Sequence, residues 1–419
     1  MLFPYDENNI PSLDVLINGP FNDKSEREMR LLLNDFLTAT GLRDYEHYFT
    51  KGMFLAQNPA AFDQPREDGL HLTQEEKETL VYEEVPVKRV NRTESSSSWR
   101  PDYKKWRNIS APLWRLVCLC ALGAAVQGWD ESAVNGAQLF YQRAFRIHIE
   151  SDIKAERKPM VVGLVNSAPY LACFVSCWLT PWSNRKFGRR GTIFWTAICS
   201  AAFAFAQAFA NTWEVLFVLR FLMGFGIGPK SATIPIYAAE CSPANLRGSL
   251  VMLWQLFTAV GIMLGSVSGV VLQDIGSSDC EDLTSLKCSL NWRLMLASPA
   301  IAPIVLALYI YTQSESPRWL INEGHRLSKN DLPNLAQKRY EQAWVGLKKL
   351  RRQRLQAAKD MFEMYYLLQK ERREISSIKD SPERSWSRKG IFELFSVRRN
   401  RRAMVASLVC MFAQQFCGV

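Results

Sequence analysis

The sequence predicts an all-α membrane protein, and three observations carry that reading: six long apolar runs, an asymmetric placement of charge between them, and no catalytic constellation. The 419-residue chain has 22% charged residues and a mean hydropathy of -0.12, averages that a soluble protein of two or three domains would share. The averages describe a mixture. Charges crowd into the first hundred residues and the stretch after Pro317, and the runs between are nearly free of them.

A bilayer core about 30 Å thick needs roughly 20 mostly apolar helical residues to cross it. Six runs meet that length, at 112–135, 160–180, 191–210, 213–238, 249–272 and 292–313, and a seventh opens at Ala403 and is cut off at Val419. Six such helices joined by short polar loops have no soluble counterpart, because a water-exposed helix keeps one polar face. Four segments follow: a partly disordered amino-terminal tail (1–111), a six-helix bundle (112–313), a helix-rich polar segment (314–402) and the start of a seventh span (403–419).

The net charge of +10 matters less than its placement. Lys104, Lys105, Arg107 and Arg115 gather at the start of the first span, and Arg185, Lys186, Arg189 and Arg190 lie between the second and third. Basic residues mark the cytoplasmic side, so the amino terminus and the even-to-odd links are expected inside. The link after the fifth span agrees, with Asp274, Asp279, Glu281 and Asp282 against Lys287, whereas the mixed loop Arg143 to Lys158 decides nothing. The sequons at Asn91 and Asn108 fall inside in this topology and are read as unmodified. No signal peptide opens the chain, so the first span acts as the membrane signal.

Short helices are expected in the tail at Ser25–Leu37, Arg43–Leu55 and Thr73–Tyr82. The segment from Arg318 to Arg402 carries apolar residues at helical spacing among its charges, as surface helices under a membrane would. Its basic block Lys348–Arg354 is read as a polar face at the inner leaflet, with no nucleic-acid partner. Eight of ten cysteines lie in or beside spans as small apolar residues. Cys280 and Cys288 share an outward loop, where a disulfide and two free thiols are both open. No spacing suits a metal, no cofactor is implied, and four scattered His with no nucleophile or phosphate loop argue against an enzyme.

Charged side chains inside spans cost several kcal/mol and are functional candidates. Asp130 sits in GWDESAVNGAQ of the first span, Arg220 in RFLMGFGIGPK of the fourth, and Lys230 toward the end of the same span. An Asp and an Arg on neighbouring helices neutralise each other, and protonating the Asp releases the pair, which is a proton-coupling device; a fixed structural ion pair is the plainer alternative. Lys230 either snorkels to the interface or contacts substrate. Gln255 in the fifth span and Gln414 with Gln415 in the seventh both donate and accept hydrogen bonds, as a sugar or polyol requires. Trp129 and Trp254 would cover a pyranose face, and helix-to-helix hydrogen bonding is the plainer role for each Gln. Gly224, Gly226 and Gly228 follow no strand and are not a nucleotide loop.

Several motifs together resemble the sugar porters of the major facilitator superfamily, over 112–419. GRR stands at Gly188–Arg190, PIYAAECSPANLRG runs from Pro235 to Gly248, Gln255 follows Arg247 by eight residues, Trp292 and Arg293 open the sixth span, SESPRWL closes it at Ser314–Leu320, and QQFCGV ends the chain. The resemblance implies two six-helix halves built of inverted three-helix repeats, a midplane site between them, and alternating access by rocking. It implies substrate contacts at Gln255, Gln414 and Gln415, and the coupling pair of proton symporters at Asp130 and Arg220. It implies a cytoplasmic charge network of Arg189, Arg190, Glu240, Arg247, Glu315 and Arg318. The family's Gly and Asp before GRR read Pro181 and Arg185 here, Ser314 replaces a Pro, Cys417 a Ser, and Pro229 with Lys230 replaces small residues.

The resulting expectation is a proton-coupled, multi-pass carrier of the plasma membrane for a hexose or a polyol such as myo-inositol. Its partners would be substrate, protons, the lipid bilayer and a carboxyl-terminal six-helix half beyond Val419, without which the chain is not expected to transport alone. The alternative is a sugar sensor of the same family, which has no need of Asp130 as a proton carrier.

Overall fold

The computed structural model describes residues 21, 24–58, 71–73, 76–77, 110–145, 147, 158–275, 289–379, 395 and 398–416. Cys280 and Cys288, both sequons, and most of the expected helix Thr73–Tyr82 lie outside the described residues. Every regular element among the described residues is helical, and the chain divides into two compact units, 1–364 and 365–419.

The first span is α3 (Ala111–Ala144), entered from an extended Ser110 with Pro112 in the first turn, where a missing N–H costs nothing. α4 (Lys158–Ser176) continues through a 3₁₀ turn, Cys177–Leu179, into α5 (Thr180–Gln207). The second and third predicted spans therefore form one long run, broken at Gly188, whose φ of 76° and ψ of -179° leave the helical region. α6 (Trp213–Cys241) starts where the Thr212 hydroxyl accepts from the Val215 N–H, and α7 (Ala244–Leu272) follows Pro243. The sixth span is α8 (Leu290–Ala297), a 3₁₀ turn at Ser298–Ala300 containing Pro299, and α9 (Ile301–Ile310). Among the described residues, five helical runs are long and apolar enough to cross a membrane, Pro159–Gln207 covering what the sequence divides into two.

Packing follows from small residues. α6 lies between α4 and α5: a side chain on Gly224 or Gly228 would strike Pro169 or Ser176 of α4, and one on Gly226 would strike Ser200 of α5. Alternate glycines thus admit a neighbour on each side. α3 packs along α7, where Gly128 and Gly261 meet the opposite backbone at Thr258 and Ala125. Apolar side chains such as Phe174, Met252 and Leu308 face outward, an arrangement suited to lipid.

Outside the spans, α10 (Pro317–Lys329), α11 (Pro333–Leu350) and α12 (Arg354–Lys379) are joined by the tail helices α1 (Glu26–Thr40) and α2 (Glu46–Gln57). α1 opens with a reciprocal Ser25–Glu28 capping box and closes at a left-handed Gly41. Phe36 meets Phe49 and Phe362 at ring distances of 4.9 and 5.6 Å, and Trp344 of α11 lies 5.3 Å from Tyr45 and 4.9 Å from Phe49. Phe36, Phe49 and Trp344 are fully buried, each worth about 1.5–3 kcal/mol by apolar burial. Gly52 lets α2 approach the backbone of α12 at Ala358 and Lys359.

The basic block read as a solvated face is partly spent inside this core. Lys348 stacks over Tyr45 and Trp344 at 4.9 and 5.3 Å, and Arg351 is buried, donating to Asp360 and to the Cys241 carbonyl at the end of α6. A guanidinium at a helix C-terminus satisfies a carbonyl that the helix cannot. In the second unit, α13 (Arg398–Phe416) contains the residues read as the start of a seventh span, and it is not one of the five runs apolar enough to cross a membrane.

Candidate functional site

The bundle core holds a small cleft lined by Gln127, Asp130 and Glu131 of α3, Pro169 and Tyr170 of α4, and Arg220, Met223 and Ile227 of α6. Asp130 is 4% exposed, and neither of its carboxylate oxygens has a hydrogen-bond partner. Arg220 is equally buried, yet no N–O contact within 4.0 Å joins the two. Its Nε donates instead to the Val165 carbonyl at 2.8 Å. The cause is Pro169: lacking an N–H, it leaves the carbonyl four residues earlier without its helical donor, and Arg220 supplies one. The sequence brings Asp130 and Arg220 to one cleft, but the direct ion pair is absent from this conformation.

Lys230 does not snorkel. It is fully buried, with Nζ 3.4 Å from the Ser200 hydroxyl, and it does not line the cleft. Trp129 donates its indole N–H to Ser298 at 3.2 Å, and Trp129 and Trp254 pack against the same apolar cluster. Gln255, next to Trp254, is exposed on the bundle. Gln414 and Gln415 lie near the end of α13 in the second unit.

A second polar cluster forms where α5, α6 and the approach to α10 meet. Arg189 makes a two-pronged contact with Glu240, Nε to Oε2 at 3.0 Å and Nη2 to Oε1 at 2.8 Å. Glu315 accepts from the backbone N–H of Arg189 at 3.0 Å and of Arg190 at 3.2 Å, and Arg190 Nη1 donates to the Gln313 carbonyl at 3.0 Å. Ser316 donates its hydroxyl to Glu240, and Tyr237 donates to the Ser314 carbonyl. Burial pushes the Glu315 carboxyl above its ordinary value of 4.5, opposed by the N–H groups of Ser316, Arg190 and Arg189 and the charge of Arg190. Glu315 thus caps the helix that resumes after Gly188, and Gly188 is needed because a Cβ there would lie 2.6 Å from its Oε2. Arg189, Arg190, Glu240 and Glu315 thus come together in one cluster. Arg247 and Arg318 are exposed, Arg247 on α7 and Arg318 in the first turn of α10.

Sequence reasoning missed three contributors. Glu131, held by Gln127 at 3.2 Å, is a second carboxylate in the cleft, and the same cost of intramembrane charge that singled out Asp130 applies to it. Pro169 carried the signal for Arg220's partner. Arg351 carried none, because only the fold brings it to Cys241. Among the described residues no group of His, Cys, Asp and Glu could hold a metal ion.

The family model described as "Sugar (and other) transporter" matches residues 116–419. "Probable inositol transporter 2" of Arabidopsis thaliana is 25% identical over 311 residues, 73% of this chain and 45% of that protein. The "Arabinose-proton symporter" of Bacillus subtilis (strain 168) is 28% identical over 207 residues, 49% of this chain and 41% of that protein. This chain therefore matches less than half the length of each. The fold resembles that of the major facilitator proton:xylose symporter XylE bound to 6-bromo-6-deoxy-D-glucose, with a TM-score of 0.54 at 22% identity, over 63% of this chain and 54% of that one. Helical runs of membrane-crossing length, a match across most of the chain and a fold shared with a major facilitator symporter lead to one conclusion: this multi-pass membrane protein belongs to the sugar transporter family.

Proposed function

We propose that the protein is the amino-terminal half of a proton-coupled carrier for a hexose or a polyol such as myo-inositol, working by alternating access with a second six-helix half. The observation that carries this reading is Asp130: a buried carboxylate with both oxygens unpartnered, opening on a cleft it shares with Arg220. A carrier needs a group that gains and loses a proton as the site changes sides, and an acid held by a rigid ion pair would be poorly suited. Relatives whose names specify inositol, polyol or arabinose-proton transport agree with a polyhydroxyl substrate and proton symport. Exposed Gln255, with Trp254 beside it, would supply this half's share of the substrate contacts, and Gln414 and Gln415 would complete them from the seventh span.

The cluster of Arg189, Arg190, Glu240 and Glu315 would be the latch on the cytoplasmic side, which places the tail helices there too and suits a plasma-membrane carrier. A sensing role is the second reading, favoured by the packing of α1 and α2 on α11 and α12. Proteoliposomes separate the two. The chain joined to a carboxyl-terminal six-helix half should accumulate labelled sugar or polyol with proton influx, and Asp130→Asn should abolish accumulation against a gradient. Uptake of nothing by the joined protein supports sensing, and unchanged accumulation in the variant removes Asp130 from the coupling.

A further inference from the structure

Both carboxylate oxygens of Asp130 are closed off from solvent and have no hydrogen-bond partner, so in this conformation a proton reaches the acid through a neighbouring group. The lining of the cleft supplies the candidates. Arg220 stays protonated and has Nε committed to the Val165 carbonyl, Tyr170 keeps its phenolic proton at neutral pH, and the Gln127 amide does not ionise. Pro169, Met223 and Ile227 have no side-chain proton to exchange. Glu131 remains. It follows Asp130 on α3, lines the same cleft and is only half-buried. Gln127, one turn earlier, donates Nε2–H to Glu131 Oε1 at 3.2 Å, and its own buried Oε1 has no partner. An amide so placed suits both states of the acid, donating to the carboxylate and accepting from the carboxyl once it holds a proton.

We infer that Glu131 is a proton-relay residue, taking the proton from water at the cleft and passing it to Asp130. The inference rests on the coupling role given to Asp130 above. In the first step an O–H bond of a hydronium ion breaks as one forms on the Glu131 carboxylate. In the second that bond breaks as one forms on Asp130, and Glu131 returns to its charged state. A polar track leads to this point. Gln127, Glu131, Asn135 and Gln138 stand at helical spacing on one face of α3. Beyond Glu131, Gln138 accepts from Asn166 Nδ2 at 2.9 Å and Tyr141 donates to Asn166 Oδ1 at 3.2 Å. Asn166 lies one turn from Tyr170 on α4, so these groups continue the cleft toward the carboxyl end of α3, the end expected outside from the placement of charge. The ionisable and charged groups facing Glu131 are Asp130 on its own helix, Tyr170 and Cys173 on α4, and Arg220 on α6. Other charges on the packed helices are engaged elsewhere: Lys230 of α6 meets Ser200, Arg293 of α8 donates to Ala208 and Asn211, and Tyr309 of α9 faces Arg115 and Cys118. α7 carries none after Arg247 in its first turn.

The test follows proton arrival at Asp130 in the 419-residue chain in detergent, by infrared spectroscopy after a rapid drop in pH. The Asp130 carboxyl band is the one that Asp130→Asn removes. Glu131→Gln, which can still meet Gln127, should slow the rise of that band by about a hundredfold, and Glu131→Asp should stay near the parent. Formate, a small acid with the chemistry of the missing group, should restore the rate in Glu131→Gln and leave the parent unchanged. Tyr170→Phe should match the parent. A parent-like rate in Glu131→Gln would overturn the relay, and so would a slowed rate that formate does not restore, which marks Glu131 as a structural residue. If Glu131→Gln yields no folded protein, Glu131→Ser completes the same comparison. The experiment reads proton delivery without transport, so two failures stay distinct. No Asp130 band in the parent would remove Asp130 from the coupling, whereas a band that rises at the parent's rate without Glu131 leaves Asp130 its role and removes only the relay.

Discussion

Replacing Gly188 with Ala tests the latch at its tightest point. The residue sits at φ 76° and ψ -179°, a region that side-chain-bearing residues occupy at a cost of about 1–3 kcal/mol. The added Cβ would stand 2.6 Å from Oε2 and 3.0 Å from Cδ of Glu315, so the carboxylate must move. Moving it gives up at least one of the N–H bonds from Arg189 and Arg190, each worth about 1.5–3 kcal/mol as a bond to a charged acceptor. Together the losses come to about 2.5–6 kcal/mol. Unfolding entropy of about 2.1 cal/mol/K per residue over the 364-residue first unit converts this to a midpoint drop of roughly 3–8 °C. The assay is thermal unfolding of the detergent-solubilised chain, in the parent and in a Glu315→Ala background. In the second background only the backbone cost remains, so the drop should fall to about 1–3 kcal/mol. An unchanged midpoint for Gly188→Ala, or equal losses in both backgrounds, would refute the reasoning.

Burial holds the Glu315 carboxyl above 4.5, so the folded state binds its proton more tightly than the unfolded one. That contribution is complete below the unfolded value and is lost as pH rises through the folded one, so Glu315→Gln should gain on the parent over that rise, and a flat difference across pH would contradict it. Phe36→Ala removes a fully buried ring between Phe49 and Phe362 and should cost about 3–5 kcal/mol, seen as faster proteolytic release of the tail than in the parent. Gly52→Leu, whose Cβ would lie 2.8 Å from the Lys359 backbone nitrogen, should undock the same helices, and a parent-like digestion pattern would show the contact to be incidental. Arg351→Met leaves the Cys241 carbonyl and Asp360 without their donor and should lower the midpoint, whereas no change would place Arg351 outside the framework.

The spans were legible because burial in lipid imposes a length and a composition on each helix, and the charges between them have few places to go. The joining of the second and third spans was less legible: Pro181 read as a loop residue but occupies a helix's first turn, and Gly188 alone breaks the run. Arg189, Arg190, Glu240 and Glu315 were legible only as members of recognisable motifs, because the contacts among them join residues as far as 51 and 126 positions apart. The motifs did not show that Glu315 caps the helix resuming after Gly188, because that depends on where the chain beyond α9 returns. The tail was read from polarity, which conceals apolar residues at helical spacing; Phe36, Phe49 and Trp344 form a core only once α1, α2 and α11 are in place. Lys230 was ambiguous for the same reason: its sequence position fits an interface, and only packing against α5 shows the ammonium to be enclosed.

Coupled uptake tests the proton-carrying role of Asp130 directly. Proteoliposomes carrying this chain joined to a carboxyl-terminal six-helix half would be loaded with a pH-sensitive dye and given labelled myo-inositol or a hexose. Substrate should accumulate together with internal acidification, and both should be lost on Asp130→Asn while exchange of substrate down its own gradient persists. Accumulation without proton entry, or proton-driven accumulation that survives Asp130→Asn, would contradict it.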